Sequence, residues 1–471
     1  MRERHWFLAL ALALDLTLIS AWLLTGQPSP ALADAAVADG IRYVAPSGND
    51  TNLCDDVTRS CRTVQRAIDV AEAHDEIRVA GGVYTDPAGT VADLDKTVTL
   101  VGGWNADFTT RDPGAHPTVL DAERRGRVVY ISGPVSPTID GFIITGGDAH
   151  DESERAGEGG GVCSFDSSPI IQNNVITNNI AYRGASPWGF GGGIYLRGVS
   201  SRGIIRDNRI VSNTASTTYY GLGGGVCLFR GAAELRGNEI ERNTAGAGGA
   251  GAYVYESHGS VFSQNHIISN TTTISPTRSG TGGGLYIEFT SPFTLTNNVI
   301  AQNYANNAGG LYVHGYDNYD STGNLVNNTI ADNNLGPGGE AIGHTRVVTL
   351  TLTNNIIAGH TYGLTGRGVT GASYTLFYDN ALGDVWCVGP VDSTHEITGQ
   401  DPQFVNPQTW DYHLRQDSPA IDTGDPAGVP PAPLIDIDGQ RRPGAGRVDI
   451  GADEAWQPSL FLPLVVKVHA S

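Results

Sequence analysis

Carboxylates are the first chemistry the chain offers. The stretch DAHDESERAGE, residues 148–158, sets Asp148, Asp151, Glu152, Glu154 and Glu158 beside His150 and Arg155. Hard oxygen donors at that density suit calcium, which gathers about six to eight of them. The spacing is irregular and lacks the Asp-x-Asp-x-Asp-Gly order of a dedicated calcium loop, so a solvated run of charge is the competing reading. A weaker calcium cue, DIDG at 436–439, reads equally as a turn.

Groups that could move a proton are scarcer. Arg197, Glu288 and His314 occupy equivalent positions in the repeats described below, and they are the one arrangement that sets a base near an acid. A guanidinium is a poor base without strong perturbation, and surface charge is the structural alternative. His258, His344 and His360 are too scattered in sequence to suggest zinc. Of the five cysteines, Cys54 and Cys61 are close enough to form a disulfide.

What must position these residues is a repeat. The motif Asn-x-Ile-x-x-Asn appears as NVITNN (174–179), NRIVSN (208–213), NEIERN (238–243), NHIISN (265–270), NVIAQN (298–303) and NTIADN (328–333). GFIITG (141–146) is an earlier version and NIIAGH (355–360) a decayed last copy. Successive spacings of 33, 34, 30, 27, 33, 30 and 27 residues mark a solenoid. A glycine run precedes each Asn motif, as in GGGVCSF, GGGIYLR, GGGVCLF, GAGAYVYE, GGGLYIEF and GGLYVHGY, and apolar residues alternate after it. That period of two means short strands with one buried face. Another apolar position, Ile171, Ile205, Leu235, Phe262, Leu295, Leu325 and Leu352, falls three residues before each motif's first Asn. Each repeat then supplies two or three inward-pointing segments, and stacking the repeats predicts an all-β, single-stranded parallel β-helix. The asparagines are expected at coil corners, where Asn tolerates the left-handed conformation. There each amide can bond its counterpart one coil away, so that Asn179, Asn213, Asn243, Asn270, Asn303 and Asn333 form a ladder.

If the apolar residues after each glycine run point inward, Cys163, Tyr195, Cys227, Tyr253, Tyr286 and Tyr312 point out, followed by a second column of Phe165, Arg197, Phe229, Tyr255, Glu288 and His314. Cys163 and Cys227 would sit two coils apart, about 9.6 Å, too far for a disulfide. The connections between each Asn motif and the next glycine run vary most, and all must emerge along one edge of the stack. They carry Tyr182, Trp188, Phe190, Tyr219 and Tyr220, and the acidic stretch 148–158 falls in the same slot. Aromatic faces stack on sugar rings while a phenol keeps its hydrogen bond. A groove for polysaccharide, with Trp188, Tyr195, Arg197, Tyr219, Tyr220, Tyr253, Tyr255, Tyr286, Glu288, Tyr312 and His314 as candidates, is the functional expectation. The structural alternative is a tyrosine ladder that stiffens the sheet, with the long loops folded over it.

On these motifs the chain resembles the right-handed parallel β-helix, or pectin-lyase-like, superfamily, and its Gly and Asn repeats look like those of bacterial surface β-helix proteins. The opening YVAPSGND and CRTVQRAIDVAEAHDEIRVAGGVYTD is similar to the first segment of such proteins. Within it, residues 63–73 read as an amphipathic helix, with Val64, Ala67, Ile68 and Ala71 on one face, that caps the open end of the solenoid. The end, DPQFVNPQTWDYHLRQDSPAIDTGDP and then DIDGQRRPGAGRVDIGADE, resembles terminal coils and a choice-of-anchor module. The resemblance implies a secreted or cell-surface protein and no particular chemistry. Hydrolases of the superfamily pair aspartates with a Gly-His-Gly element, and no matching element occurs here. Its lyases use calcium-binding acids with an Arg or Lys base, so a calcium-assisted polysaccharide lyase is the alternative to a non-catalytic binder.

The start, MRERHW with the apolar run Phe7 to Leu24 and Ala31-Leu32-Ala33 before Asp34, has the layout of a secretory signal. The expected organisation is a signal peptide at 1–33, an N-terminal cap and first coils at 34–120, repeats at 121–385, terminal coils or anchor-type module at 386–455 and a tail at 456–471. A net charge of −20 argues against nucleic acid or an anionic membrane as partner, leaving membrane contact to the signal or an anchor segment. It would also repel polyanionic glycans unless a cation bridges them. Polysaccharide or cell-envelope glycan is the expected partner, and calcium the one cofactor with any cue.

Overall fold

The computed structural model describes residues 40–152, 155–183, 188–216, 220–273, 280–316, 318–333, 339–387, 391–426, 435–444 and 446–455. The expected signal peptide, Glu154, Tyr219 and the tail from 456 lie outside the described residues.

Each coil contributes one short strand to each of three parallel sheets, and every strand pairs with its equivalent in the neighbouring coil. The first sheet runs through 13 strands from Ile41–Val44 to Val391–Thr394. The second has 12, from Gly82–Tyr84 to Ile397–Thr398, and the third 11, from Ala92–Leu94 to Val385–Cys387. The register places like on like: Ile171 on Ile205 in the first sheet, Ile176 on Ile210 in the second and Val162 on Ile194 in the third. These residues fill one continuous core down the axis of the all-β solenoid.

The asparagines do form ladders, and there are two. Asn174, Asn208, Asn238, Asn265, Asn298, Asn328 and Asn355 make one, and Asn179, Asn213, Asn243, Asn270, Asn303 and Asn333 the other, all buried. Asn243 shows the pattern. Its Oδ1 accepts from the backbone N–H and Nδ2 of Asn213 at 2.9 and 3.1 Å. Its Nδ2 donates to the Ile210 carbonyl at 2.9 Å and to Asn270 Oδ1 at 3.0 Å. The left-handed backbone expected of these asparagines belongs instead to the residue before each. Ser212, Arg242, Ser269, Gln302 and Asp332 hold φ between 49° and 58°. The ladder amide needs to turn inward, and the residue ahead of it absorbs the sharp corner.

The two sequence motifs meet in one contact. A Cβ on Gly225 would stand 2.6 Å from the Gly251 carbonyl oxygen and 3.0 Å from Asn243 Nδ2, so only glycine lets the backbone lie against the ladder.

At the N-terminal end the helix Val64–Val70 buries Val64, Ala67 and Ile68 in the axial core and packs on the strands Ile41–Val44 and Ala92–Leu94. Thr63 Oγ1 caps it by accepting from Arg66 N–H. Lys96 Nζ donates to the carbonyls of Ile68, Asp69 and Ala71 at its other end. The helix ends three residues earlier than the sequence pattern suggests, because Ala71 is already extended, with ψ 143°. Cys54 and Cys61 are disulfide-bonded beside it, with Cα atoms 5.1 Å apart.

Beyond the last coil the chain doubles back. Residues 404–426 form an antiparallel pair, Phe404–Asn406 with Asp411–Leu414, and with 435–444 and 446–455 a strap over the outer face of the second sheet. Its bonds reach several coils. Gln302 Nε2 donates to the Pro407 carbonyl, Asn297 Nδ2 to that of Ile435 and Asn327 Nδ2 to that of Asp449, while Tyr412 donates to Asp332 Oδ2.

Candidate functional site

The variable connections lie over the outer face of the third sheet. After each ladder the chain forms edge strands, Ile180–Tyr182, Thr214–Ser216, Thr244–Ala245 and Thr271–Thr272, which stack in a small sheet of their own. Gly189–Phe190 pairs with Gly221–Leu222 on the way back to the glycine run. The acidic stretch opens this stack, with Asp148 bridged to Ile180 and Glu158 to Phe190.

This cover changes the tyrosine column. Tyr195 and Tyr253 do sit on the outer face of the sheet, yet they are only 1% and 3% exposed, in a cluster with Cys163, Cys227 and Leu222. They cannot stack on a ligand. The expectation that they present themselves to solvent is corrected: the edge segments expected to frame them lie on top of them. Burial holds both phenols protonated, and Tyr253 donates to Glu288 Oε2 at 2.6 Å. The Cys163 thiol is pushed up to about 12 by the same burial.

The loop acids face arginines. Asp148 is ion-paired with Arg183 and also accepts from His150 N–H at 3.1 Å. Its pKa is raised, burial outweighing these contacts. Glu152 Oε1 accepts from Arg127 N–H at 2.9 Å. Glu158 Oε1 accepts from Arg197 Nη1 at 3.2 Å and from the Tyr195 hydroxyl at 3.3 Å, with Arg155 on its other oxygen. Asp151 projects into solvent beside His150. Among the described residues no three of these acids converge on one point.

Past the covered tyrosines the face opens into a hollow of about 950 Å³ whose walls are rings. Trp188, 48% exposed, lies parallel to Phe190 at 5.8 Å and against Tyr220 at 4.4 Å. Phe229 stacks on Tyr255 at 4.7 Å, and Phe289 meets Tyr255 edge-on at 5.8 Å. Leu222, Ala247, Tyr253, Tyr286 and Glu288 complete the lining, and Glu288 is its one carboxylate. Of the sequence candidates, Trp188, Tyr220, Tyr255, Tyr286 and Glu288 therefore meet in one hollow, with the buried Tyr253 at its floor. Arg197 stays at its margin between the rings of Phe165 and Phe229. Tyr312 and His314 belong to the next hollow along the same sheet.

Phe190 and Phe229, which the sequence places on an edge connection and in the second outward column without making them candidates, supply much of the wall, as does Phe289, which the sequence reading does not name. Phe289 follows the second outward column by one residue, at φ 50°, and that turn swings its ring back over the sheet. A strand-parity reading stops at Glu288.

A separate polar group lies on the strap. His413 Nδ1 and Nε2 lie 2.6 and 2.7 Å from Asp411 Oδ1 and Asp438 Oδ2, and Asp453 accepts from Leu414 N–H. His413, Asp438 and Asp453 are the described group whose ligand atoms lie within 4.8 Å of one another. The DIDG stretch is a turn, since Asp436 Oδ1 accepts from the N–H groups of Asp438 and Gln440.

Among solved structures the chain is similar to pectate lyase Pel9A, 12% identical over 89% of this chain and 97% of that one, at a TM-score of 0.42. It is similar to XylC in complex with xylose, 9% identical over 88% and 98%, at 0.45. A rhamnogalacturonan lyase is 12% identical over 78% and 91%, at 0.44. No curated protein sequence matches. The family described as the right handed beta helix region matches residues 121–248 and 216–382, more than half of the chain. The chain belongs to the right handed beta helix family.

Proposed function

We propose that the protein is an exported solenoid, secreted or held at the cell surface, that binds polysaccharide or cell-envelope glycan along the outer face of its third sheet without cleaving it. The observation that carries this reading is the open hollow walled by Trp188, Phe190, Tyr220, Phe229, Tyr255 and Phe289. A file of ring faces with one carboxylate acceptor among them suits the apolar faces and hydroxyls of sugars. The signal-like layout of residues 1–33 and the Cys54–Cys61 disulfide both fit an oxidising compartment outside the cytosol. Attachment through the C-terminal segment rests on its resemblance to a choice-of-anchor module.

A panel of neutral and uronate-containing oligosaccharides tests this by titration calorimetry. Trp188→Ala combined with Tyr255→Ala is expected to weaken binding about tenfold or more, with the melting temperature unchanged. Undiminished binding in that variant would remove the hollow from the proposal. New ultraviolet absorbance from unsaturated uronate would replace binding with eliminative cleavage.

A further inference from the structure

The third sheet continues past the aromatic hollow into a second one, of about 690 Å³, with a different chemistry. The strands Leu311–His314, Glu340–His344, Tyr362–Gly366 and Val385–Cys387 form its floor. The two hollows share a wall: Tyr286 meets Tyr312 at 5.7 Å, and Phe289 meets His314 at 5.3 Å. Arg346 and Arg367 line the second hollow. Arg346 follows His344 by two residues and Arg367 follows Gly366 by one, and His344 and Gly366 are paired across adjacent coils, so both arginines leave the same edge of the sheet in neighbouring coils.

Both arginines are exposed, and among the described residues neither has a carboxylate partner. Arg42, Arg111, Arg197 and Arg230, by contrast, are each held by an acid. Glu340 is the one carboxylate of the lining, and its Oε2 is engaged by the Ala308 N–H at 2.8 Å. Trp386, 66% exposed, is stacked on Tyr362 at 5.5 Å and offers its other face to the hollow.

We propose that Arg346 and Arg367 are a binding site for the anionic groups of an acidic saccharide, carboxylate or sulfate, whose sugar rings extend to Trp386 on one side and into the aromatic hollow on the other. The inference rests on the glycan-binding reading above and adds the ligand's charge and its direction along the solenoid. Guanidinium forks match planar oxyanions in a bidentate geometry, and two of them one coil apart can grip neighbouring residues of one chain. The net charge of −20 repels polyanions in general. Contact here is decided within a Debye length, about 8 Å at physiological salt, and over that range two free guanidiniums outweigh one engaged carboxylate. From the strand Ile194–Arg197 to Val385–Cys387 the track spans seven strand steps, roughly 34 Å, aromatic at one end and cationic at the other.

The test uses the full chain and three probes of about eight sugars: oligogalacturonate, its carboxyl-reduced neutral counterpart, and a sulfated oligosaccharide. Wild type is expected to bind at least one charged probe about tenfold tighter than the neutral one, the two charged arms telling carboxylate from sulfate. Arg346→Gln with Arg367→Gln should bring the charged probe down to the neutral affinity and leave neutral binding unchanged. Equal affinities in wild type, or a charge preference that survives in the variant, overturns the arginine site while neutral binding keeps the glycan reading. Failure of all three probes to bind overturns both.

Discussion

At the scale of single residues the asparagine ladders carry the most consequence. The Asn243 amide is saturated by four bonds to the coils on either side, so removing it leaves orphaned groups in both neighbouring coils. Each orphan in a dry core costs about 1–3 kcal/mol. Asn243→Leu, close in volume, is therefore expected to lose about 3 kcal/mol or more, whereas Arg209→Ala, on the exposed face of the strand Arg209–Val211, should stay within about 0.5 kcal/mol. Urea unfolding of both variants checks it, and equal midpoints would reduce the ladder to a packing feature. The ladder is legible in the sequence because identical residues recur at coil spacing. The left-handed corner is not, and falls one position earlier than expected, because Ser212, Arg242 and Gln302 share a conformation and no chemistry. The last rung shows the same logic: His360 takes the place of an asparagine, 3.2 Å from Asn333 Nδ2, and burial pulls its pKa to about 3, so it stays neutral there.

At the scale of elements, strand positions are readable and coverings are not. Period-two alternation places Tyr195 and Tyr253 on the outer face correctly, but the edge segments above them have no period, so loops folded over the tyrosines, the structural alternative in the sequence, could not be chosen over loops that frame them. The strap is equally hidden, since its bonds join residues far apart in sequence, Gln302 to Pro407 by 105 positions and Asp332 to Tyr412 by 80. Its titrating groups give it a pH response. Asp449 is pushed up to about 7, mainly by burial, so the folded chain keeps a proton that the unfolded chain has released. Stability therefore falls as pH rises from about 4 to 7. Asp453, raised by burial, acts in the same direction. His413 is pushed up to about 10, first by its bond to Asp438 and also by Asp411. Its contribution is present in full below about pH 6.5 and is lost on the way to 10. The slopes share a sign, so the strap should exchange amide hydrogens faster at pH 9.5 than at pH 6 after correction for intrinsic rates, while the coil core does not. His413→Gln should flatten the alkaline part. A strap equally protected at both values would contradict this account.

For the whole molecule, the strict register makes each coil a unit that contacts only its neighbours, and stability accumulates coil by coil. A coil should then be removable without disturbing the rest. Deleting residues 180–213 joins Asn179 to Thr214 and brings Val162–Phe165 against Val226–Phe229, which have the same inward pattern, and Asn179 against Asn243, which restores the ladder. The excised coil lies outside the strap's bonds to Gln302, Asn297 and Asn327, so docking is preserved. The shortened chain is expected to keep its far-ultraviolet β-sheet signal and to unfold cooperatively. It loses Trp188 and Phe190 from the hollow, and with them most of its affinity for the neutral octasaccharide, while the charge preference from Arg346 and Arg367 remains. An aggregated or unfolded product would show that the coils are not interchangeable. Unchanged neutral affinity would place the sugar rings elsewhere on the solenoid.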